Sequence, residues 1–152
     1  MKWVTRRRIQ VNRAATAWLI RRFIDPQAEF LFVDPDQVAD VQLQESAVGF
    51  DASGARYPHQ DEAGRCSFEA LVEERCPDDA ALRALAVIVH GADLDALYTA
   101  PECAGLLAIS RGFPLVAKDD RETLEKTAFL YDALYASLQK RHAAPGPSLP
   151  RP

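Results

Sequence analysis

The stretch Asn12-Arg13-Ala14-Ala15-Thr16-Ala17-Trp18-Leu19-Ile20-Arg21-Arg22-Phe23-Ile24-Asp25-Pro26, followed two residues later by Glu29-Phe30-Leu31-Phe32-Val33-Asp34-Pro35, decides the fold class. Its first half has no glycine or proline between Asn12 and Ile24, contains Trp18, Leu19, Ile20 and Phe23, and stops at Asp25-Pro26. This predicts a helix over 13–24 with Asn12 as its N-cap. Its second half is a short apolar, aromatic run bounded by prolines, the pattern of a buried strand over 29–33.

Outward from this pair, Lys2 to Ile9 mixes β-branched and aromatic residues with charges, which predicts an edge strand with its arginines in solvent. Asp36 to Gln44 reads as a short helix, and Val48 to His59 as extended chain around a turn at Ser53-Gly54. A helix is expected from Ser67 to about Arg75, and another from Pro77-Asp78-Asp79 to about Tyr98. A further helix begins at Pro101-Glu102 and ends near Gly112-Phe113-Pro114. Asp119-x-x-Glu122 resembles a capping box opening a last helix to about Arg141. The expected architecture is a compact α+β, predominantly helical single domain over residues 1–142, with a few short strands near the N-terminus packed against later helices. Residues 143–152 hold four prolines and are expected to be a disordered tail.

With 152 residues and 48% hydrophobic content, the chain can bury a core without staples. A net charge of -4 argues against a nucleic-acid surface, which needs an excess of Lys and Arg. Cys66, Cys76 and Cys103 are odd in number and lack CxxC spacing, so neither disulfides nor a thiolate zinc site is expected, and a reducing cytoplasm fits. No secretory or membrane-spanning apolar run occurs, so no membrane partner is expected. Self-association is left open. GxxxxGK[ST], GxGxxG after a strand, GxSxG and HExxH are all missing, which removes the nucleotide, hydrolase and zincin readings.

The chemistry gathers around two histidines. On the helix from Asp79, the residues Leu82, Leu85, Ala86 and Val89 form an apolar stripe that Asp93 continues, aiming a carboxylate at the core. His90 lies three residues before Asp93, so the two share a surface. They form either a satisfied buried pair or half of a metal site. Gly91 between them weakens the helix, which implies close packing there. The other half would come from His59 and from Glu69, although a carboxylate in a first helical turn is also explained by the helix dipole. Two imidazoles and two carboxylates would make a mononuclear N/O site for a divalent transition metal, and this donor set does not choose among zinc, iron and manganese. Cys66 with His59 is an alternative thiolate–imidazole pair. His142 has no assigned role.

These residues resemble the chromate-resistance family, a domain found at the C-terminal end of chromate-responsive regulators and also alone. The resemblance runs through Lys2-Trp3-Val4-Thr5-Arg6, Trp18-Leu19-Ile20-Arg21-Arg22-Phe23-Ile24-Asp25-Pro26, Ala28-Glu29-Phe30-Leu31, Arg65-Cys66-Ser67-Phe68-Glu69, Ile88-Val89-His90, Glu102-x-Ala104-Gly105-Leu106 and Tyr131-Asp132-Ala133-Leu134-Tyr135. It implies a role in chromate resistance and strengthens the metal-site reading, because His59, Cys66, Glu69, His90 and Asp93 fall in the family's recurring polar motifs. It supplies no reaction, and whether the chain is an enzyme stays open. Asn12 stands where the family usually has an acidic residue, and Thr16-Ala17 where Cys-Pro is common.

The resemblance also implies an inorganic oxyanion as ligand, which calls for guanidinium forks or helix-start amides. Arg13, expected in the first turn of its helix, is the candidate oxyanion-binding residue. Arg21 and Arg22 read as solvated. The preferred reading is a metal-binding protein that handles or senses such an anion. The alternative is a metal-free oxyanion-sensing or protein-interaction module without catalysis.

Overall fold

The structure, a computed structural model, describes residues 1–143. Strands β1 (Lys2–Arg6), β2 (Glu29–Val33) and β3 (Val48–Gly49) form one parallel sheet in the order β2-β1-β3. The helices are α1 (Val11–Leu19), α2 (Val38–Gln44), α3 (Ser67–Arg75), α4 (Ala80–Asp93), α5 (Cys103–Val116) and α6 (Asp120–Ala143). The expected predominantly helical α+β class is what the chain adopts.

β1 is the central strand, not an edge. Parallel pairing on both sides buries Trp3, Val4 and Thr5, as parallel strands require cover on both faces. Alternation along β1 then splits the core. Trp3 joins Phe30 and Phe50 in the main core, while Val4 joins Val38, Ala47 and Ala52 in a smaller cluster beneath α2. The chain thus stacks α2, the sheet and the remaining helices in three layers.

The helix predicted over 13–24 starts two residues earlier, at Val11, and Ile20–Ile24 continue it as a π-helical turn, with Asp25 N–H donating to Ile20 C=O at 2.7 Å. Asn12 is not its cap; the side chain is fully buried and serves another helix, as described below. Trp18 and Phe23 from this segment meet Tyr131 and Tyr135 of α6, with ring centroids 5.2–6.0 Å apart. Trp18 Nε1–H also donates to Asp132 at 3.0 Å. Two motifs more than a hundred residues apart are therefore one aromatic seam. The Pro-rich tail expected from residue 143 falls outside the described residues, except for Ala143, which ends α6.

α4 begins as expected, with Asp79 accepting the Leu82 N–H at 2.9 Å, and it buries Leu82, Leu85, Ala86 and Val89. It ends at Asp93, short of the expected Tyr98. Asp95 takes a left-handed φ of 58°, and Ala96 N–H returns to Gly91 C=O at 3.0 Å, the geometry of a Schellman stop. Gly91 does mark a close approach, though by protein: a Cβ there would lie 2.3 Å from Thr99 Oγ1, 2.6 Å from Cys103 Sγ and 2.8 Å from Ala96 C=O. Gly91→Ala therefore gains helix propensity but pushes α5 off α4, and should destabilise the chain by roughly 1–3 kcal/mol in urea denaturation. A neutral or stabilising result would mean that the α4–α5 contact yields freely.

Candidate functional site

The sheet order places the site. From β1 the chain crosses through α1 to β2 on one side, then through α2 to β3 on the other. Crossovers diverging from a central parallel strand leave a crevice at the carboxyl ends of the strands. Arg6 ends β1, Asn12 and Arg13 open α1, and Asp51 follows β3. All four converge on this crevice.

Asp51, which sequence reasoning missed, is its centre. The carboxylate is 1% exposed and all its acceptor capacity is used. Oδ1 takes the Asn12 amide at 3.0 Å and pairs with His59 Nδ1 at 2.6 Å, while Oδ2 takes Arg13 at 2.9 Å and Arg6 at 3.1 Å. Burial works to raise the Asp51 carboxyl, but the His59 hydrogen bond and the Arg13 and Arg6 charges outweigh it and hold the group below its usual range. That same hydrogen bond raises His59 against its partial burial, with the Asp51 charge adding to it. Asp51 also occupies a left-handed backbone conformation, φ 51°, which adds strain to a residue fastened on every side. No local pattern in the sequence announces it; its signal is a buried charge following a two-residue strand.

His59 stands on the irregular chain after β3, about half exposed, with Nδ1 3.6 Å from Asp93 Oδ2. Asp93 reaches the crevice from the last turn of α4, and its buried Oδ2 has no hydrogen-bond partner among the described residues. One turn back, His90 Nδ1 meets Glu69 Oε2 at 2.6 Å. The same Oε2 accepts the Cys66 N–H at 2.8 Å. α3 begins at Ser67 as expected, Cys66 precedes it as the N-cap, and Glu69 closes the helix start.

The four donors expected from the sequence fall into two neighbouring groups: Asp51, His59 and Asp93 in one, and Cys66, Glu69 and His90 in the other, with donor atoms in each within 4.8 Å of one another. α4 joins them by supplying His90 to one and Asp93 to the other. Asn12 ties the groups from the opposite side. Its Oδ1 accepts from Phe68 N–H and Ser67 Oγ, both at 3.2 Å, while its amide holds Asp51. It caps α3 from a distance.

The thiolate–imidazole alternative finds little support. Burial, and then the Glu69 and Asp93 charges, push the Cys66 thiol far above the usual thiol range, and its group contains His90, not His59. Arg13, the candidate oxyanion-binding residue, holds Asp51 and donates to the Arg8 carbonyl at 3.1 Å.

Comparison with known proteins gives the chain a family. The family model described as ChrB, C-terminal domain matches residues 3–138, a span that includes every donor above. The chain is 35% identical over 135 residues to Protein ChrB of Cupriavidus metallidurans, an alignment covering 88% of this chain and 40% of that protein. The chain thus spans about 40% of the length of the curated relative it matches. No solved structure matches.

Burial, and then the Asp51 charge, push the Asp93 carboxyl up to about 6, from an ordinary value of 3.8. The folded chain therefore keeps this proton longer than the unfolded chain does, and stability declines as pH rises from about 4 to about 6. In metal-stripped protein, Asp93→Asn should stabilise the fold at pH 7.5 by on the order of 2–3 kcal/mol and leave it nearly unchanged at pH 4. Urea denaturation at both pH values checks this. An equal gain at both would place the Asp93 carboxyl in its ordinary range.

Proposed function

Because the chain belongs to the ChrB C-terminal domain family, the chromate-resistance family whose motifs it carries, we propose that it is a metal-binding domain built to meet an inorganic oxyanion. The reading rests on one observation: a buried, unpartnered Asp93 oxygen 3.6 Å from His59, with His90 one turn back on the same helix and each histidine's Nδ1 held by a carboxylate at 2.6 Å. A carboxylate on one ring nitrogen fixes the tautomer and leaves the other nitrogen's lone pair for a metal, the usual arrangement around metal-ligating histidine.

In this proposal, His90 and Asp93 from α4 bind through Nε2 and a carboxylate oxygen, and His59, which stands with Asp93 but apart from His90, swings in to bind through Nε2. Asp51 orients His59. Glu69, expected from the sequence as a fourth ligand, orients His90. Asp51 is unsuited to direct ligation because two guanidiniums, an amide and an imidazole already occupy it. Glu69, His90 and Asp93 are carried on helices, so His59, on irregular chain and half exposed, is the donor that adjusts. Two imidazoles and a carboxylate suit zinc, iron or manganese and leave a coordination position for water or an oxyanion. When bound, such an ion supplies Lewis acidity and charge for an anion.

Arg13 takes an accessory part in the same reading. Together with Arg6 it neutralises Asp51, so an incoming anion meets guanidiniums already committed to a carboxylate and must compete for them. No helix among the described residues is long and apolar enough to cross a membrane.

Elemental analysis of protein purified without an affinity tag tests the metal reading. One equivalent of zinc, iron or manganese per chain is expected, abolished by combined His59→Ala and His90→Ala. Glu69→Gln should retain binding but weaken it by about 10–100-fold, the effect of losing an orienting carboxylate. Protein that arrives metal-free and takes up none of these ions on dialysis overturns the proposal.

A further inference from the structure

A second concave site lies away from the histidines. At the carboxyl ends of β1 and β2, facing the start of α6, is a cleft of about 700 Å³ whose lining includes Arg7, Arg8, Phe32, Lys118, Asp120 and Arg121. Its volume falls within the range of small-molecule sites and far exceeds what a bare tetrahedral oxyanion fills.

The backbone at this cleft is strained and fastened. Arg8 has φ 61°, a left-handed conformation that costs a non-glycine residue on the order of 1–2 kcal/mol. Asp120 holds it there by accepting the N–H groups of both Arg8 and Ile9, at 2.9 and 2.8 Å, while the Arg8 carbonyl accepts from Arg13. Strain of this kind persists only where surrounding bonds over-determine it, and it clusters at functional positions.

What the strain positions is a guanidinium without a job in the fold. The acidic groups of the cleft are spent on backbone donors: Asp120 as above, and Asp119 on the Glu122 N–H at 2.8 Å. Arg7 pairs with Asp34. Among the described residues, the side chains of Arg8, Lys118 and Arg121 have no ion-pair partner, which leaves three uncommitted cations around one opening. Its apolar wall includes Phe32, stacked on Phe30 at 6.2 Å, with Pro114 and Ala117 opposite. Cations above an aromatic and aliphatic wall suit an anion with an apolar or planar body.

We propose that this cleft binds a small organic phosphate, the phosphate meeting Arg8, Lys118 and Arg121 and the body lying along Phe32. The site is independent of the metal reading and shares no ligand with it. Calorimetry with adenosine monophosphate and with inorganic phosphate as probes tests it on the full chain. The nucleotide should bind one per chain and weaken as salt rises, with inorganic phosphate at least tenfold weaker. Arg8→Gly and Arg121→Ala should each reduce nucleotide affinity about tenfold or more. Arg8→Gly should melt no lower than the parent, because glycine adopts this φ without strain, so lost binding there is not lost folding. The combined His59→Ala, His90→Ala protein should bind the nucleotide as the parent does. The proposal is overturned by no nucleotide binding at millimolar concentration, by binding unchanged in both arginine variants, or by inorganic phosphate binding as tightly as the nucleotide.

Discussion

The structure depends on a single buried negative charge. A carboxylate withdrawn from water is tolerable only when its partners replace hydration, and stripping one partner from such a group typically costs about 3–5 kcal/mol. Asp51 has Arg6 from the end of β1, Arg13 and Asn12 from the start of α1, and His59 from the chain beyond β3. The partners come from three different places in the topology. The charge therefore fixes the mutual position of the strand ends and of the helix that starts between them. Because the sheet opens in opposite directions on either side of β1, this point of convergence is also the crevice that parallel sheets offer to ligands.

From that anchor the two histidines acquire their orientation. Asp51 sets His59 directly. Asn12 carries the influence across to α3, where it caps Phe68 N–H and holds Ser67. α3 in turn carries Glu69, which sets His90. Asp93, on the same helix as His90, is left with an oxygen that no described group satisfies. The chain of contacts makes the crevice electrostatically uneven, with a fully partnered carboxylate on one side and, on the other, one that has an oxygen without a hydrogen-bond partner among the described residues. The metal reading proposed above puts its cation on the second side.

Periodicity made the helices and their buried faces legible, because burial of one helical face is a property of a continuous stretch of chain. The strand at Glu29–Val33 and the apolar stripe of α4 were visible for that reason, whereas His90 and Asp93, expected to share one surface, turn to different groups. What sequence could not show was which partner a polar side chain finds across the fold. Asn12 has the chemistry of a cap for its own helix, yet it caps α3, and only tertiary packing selects between the two. Asp51 looks like an ordinary turn residue, since its arginine partners lie some forty positions away. Lys2–Ile9 looked like an edge strand because its β-branched and aromatic residues stand among charged ones; the second neighbour that makes β1 central is only two residues long. Gly91 signalled close packing correctly, but a glycine does not reveal whether protein or ligand makes the approach.

The aromatic seam between α1 and α6 has a consequence for how the chain is made. Trp18 and Phe23 emerge from the ribosome long before Tyr131 and Tyr135, and the clamp from Asp120 onto Ile9 spans a separation of 111 residues. Contacts of such sequence separation slow folding and leave apolar surface open in the meantime. The N-terminal third therefore keeps apolar surface open until α6 has been made. For a nascent polypeptide of this topology, the arrival of α6 closes the aromatic seam and the Asp120 clamp together.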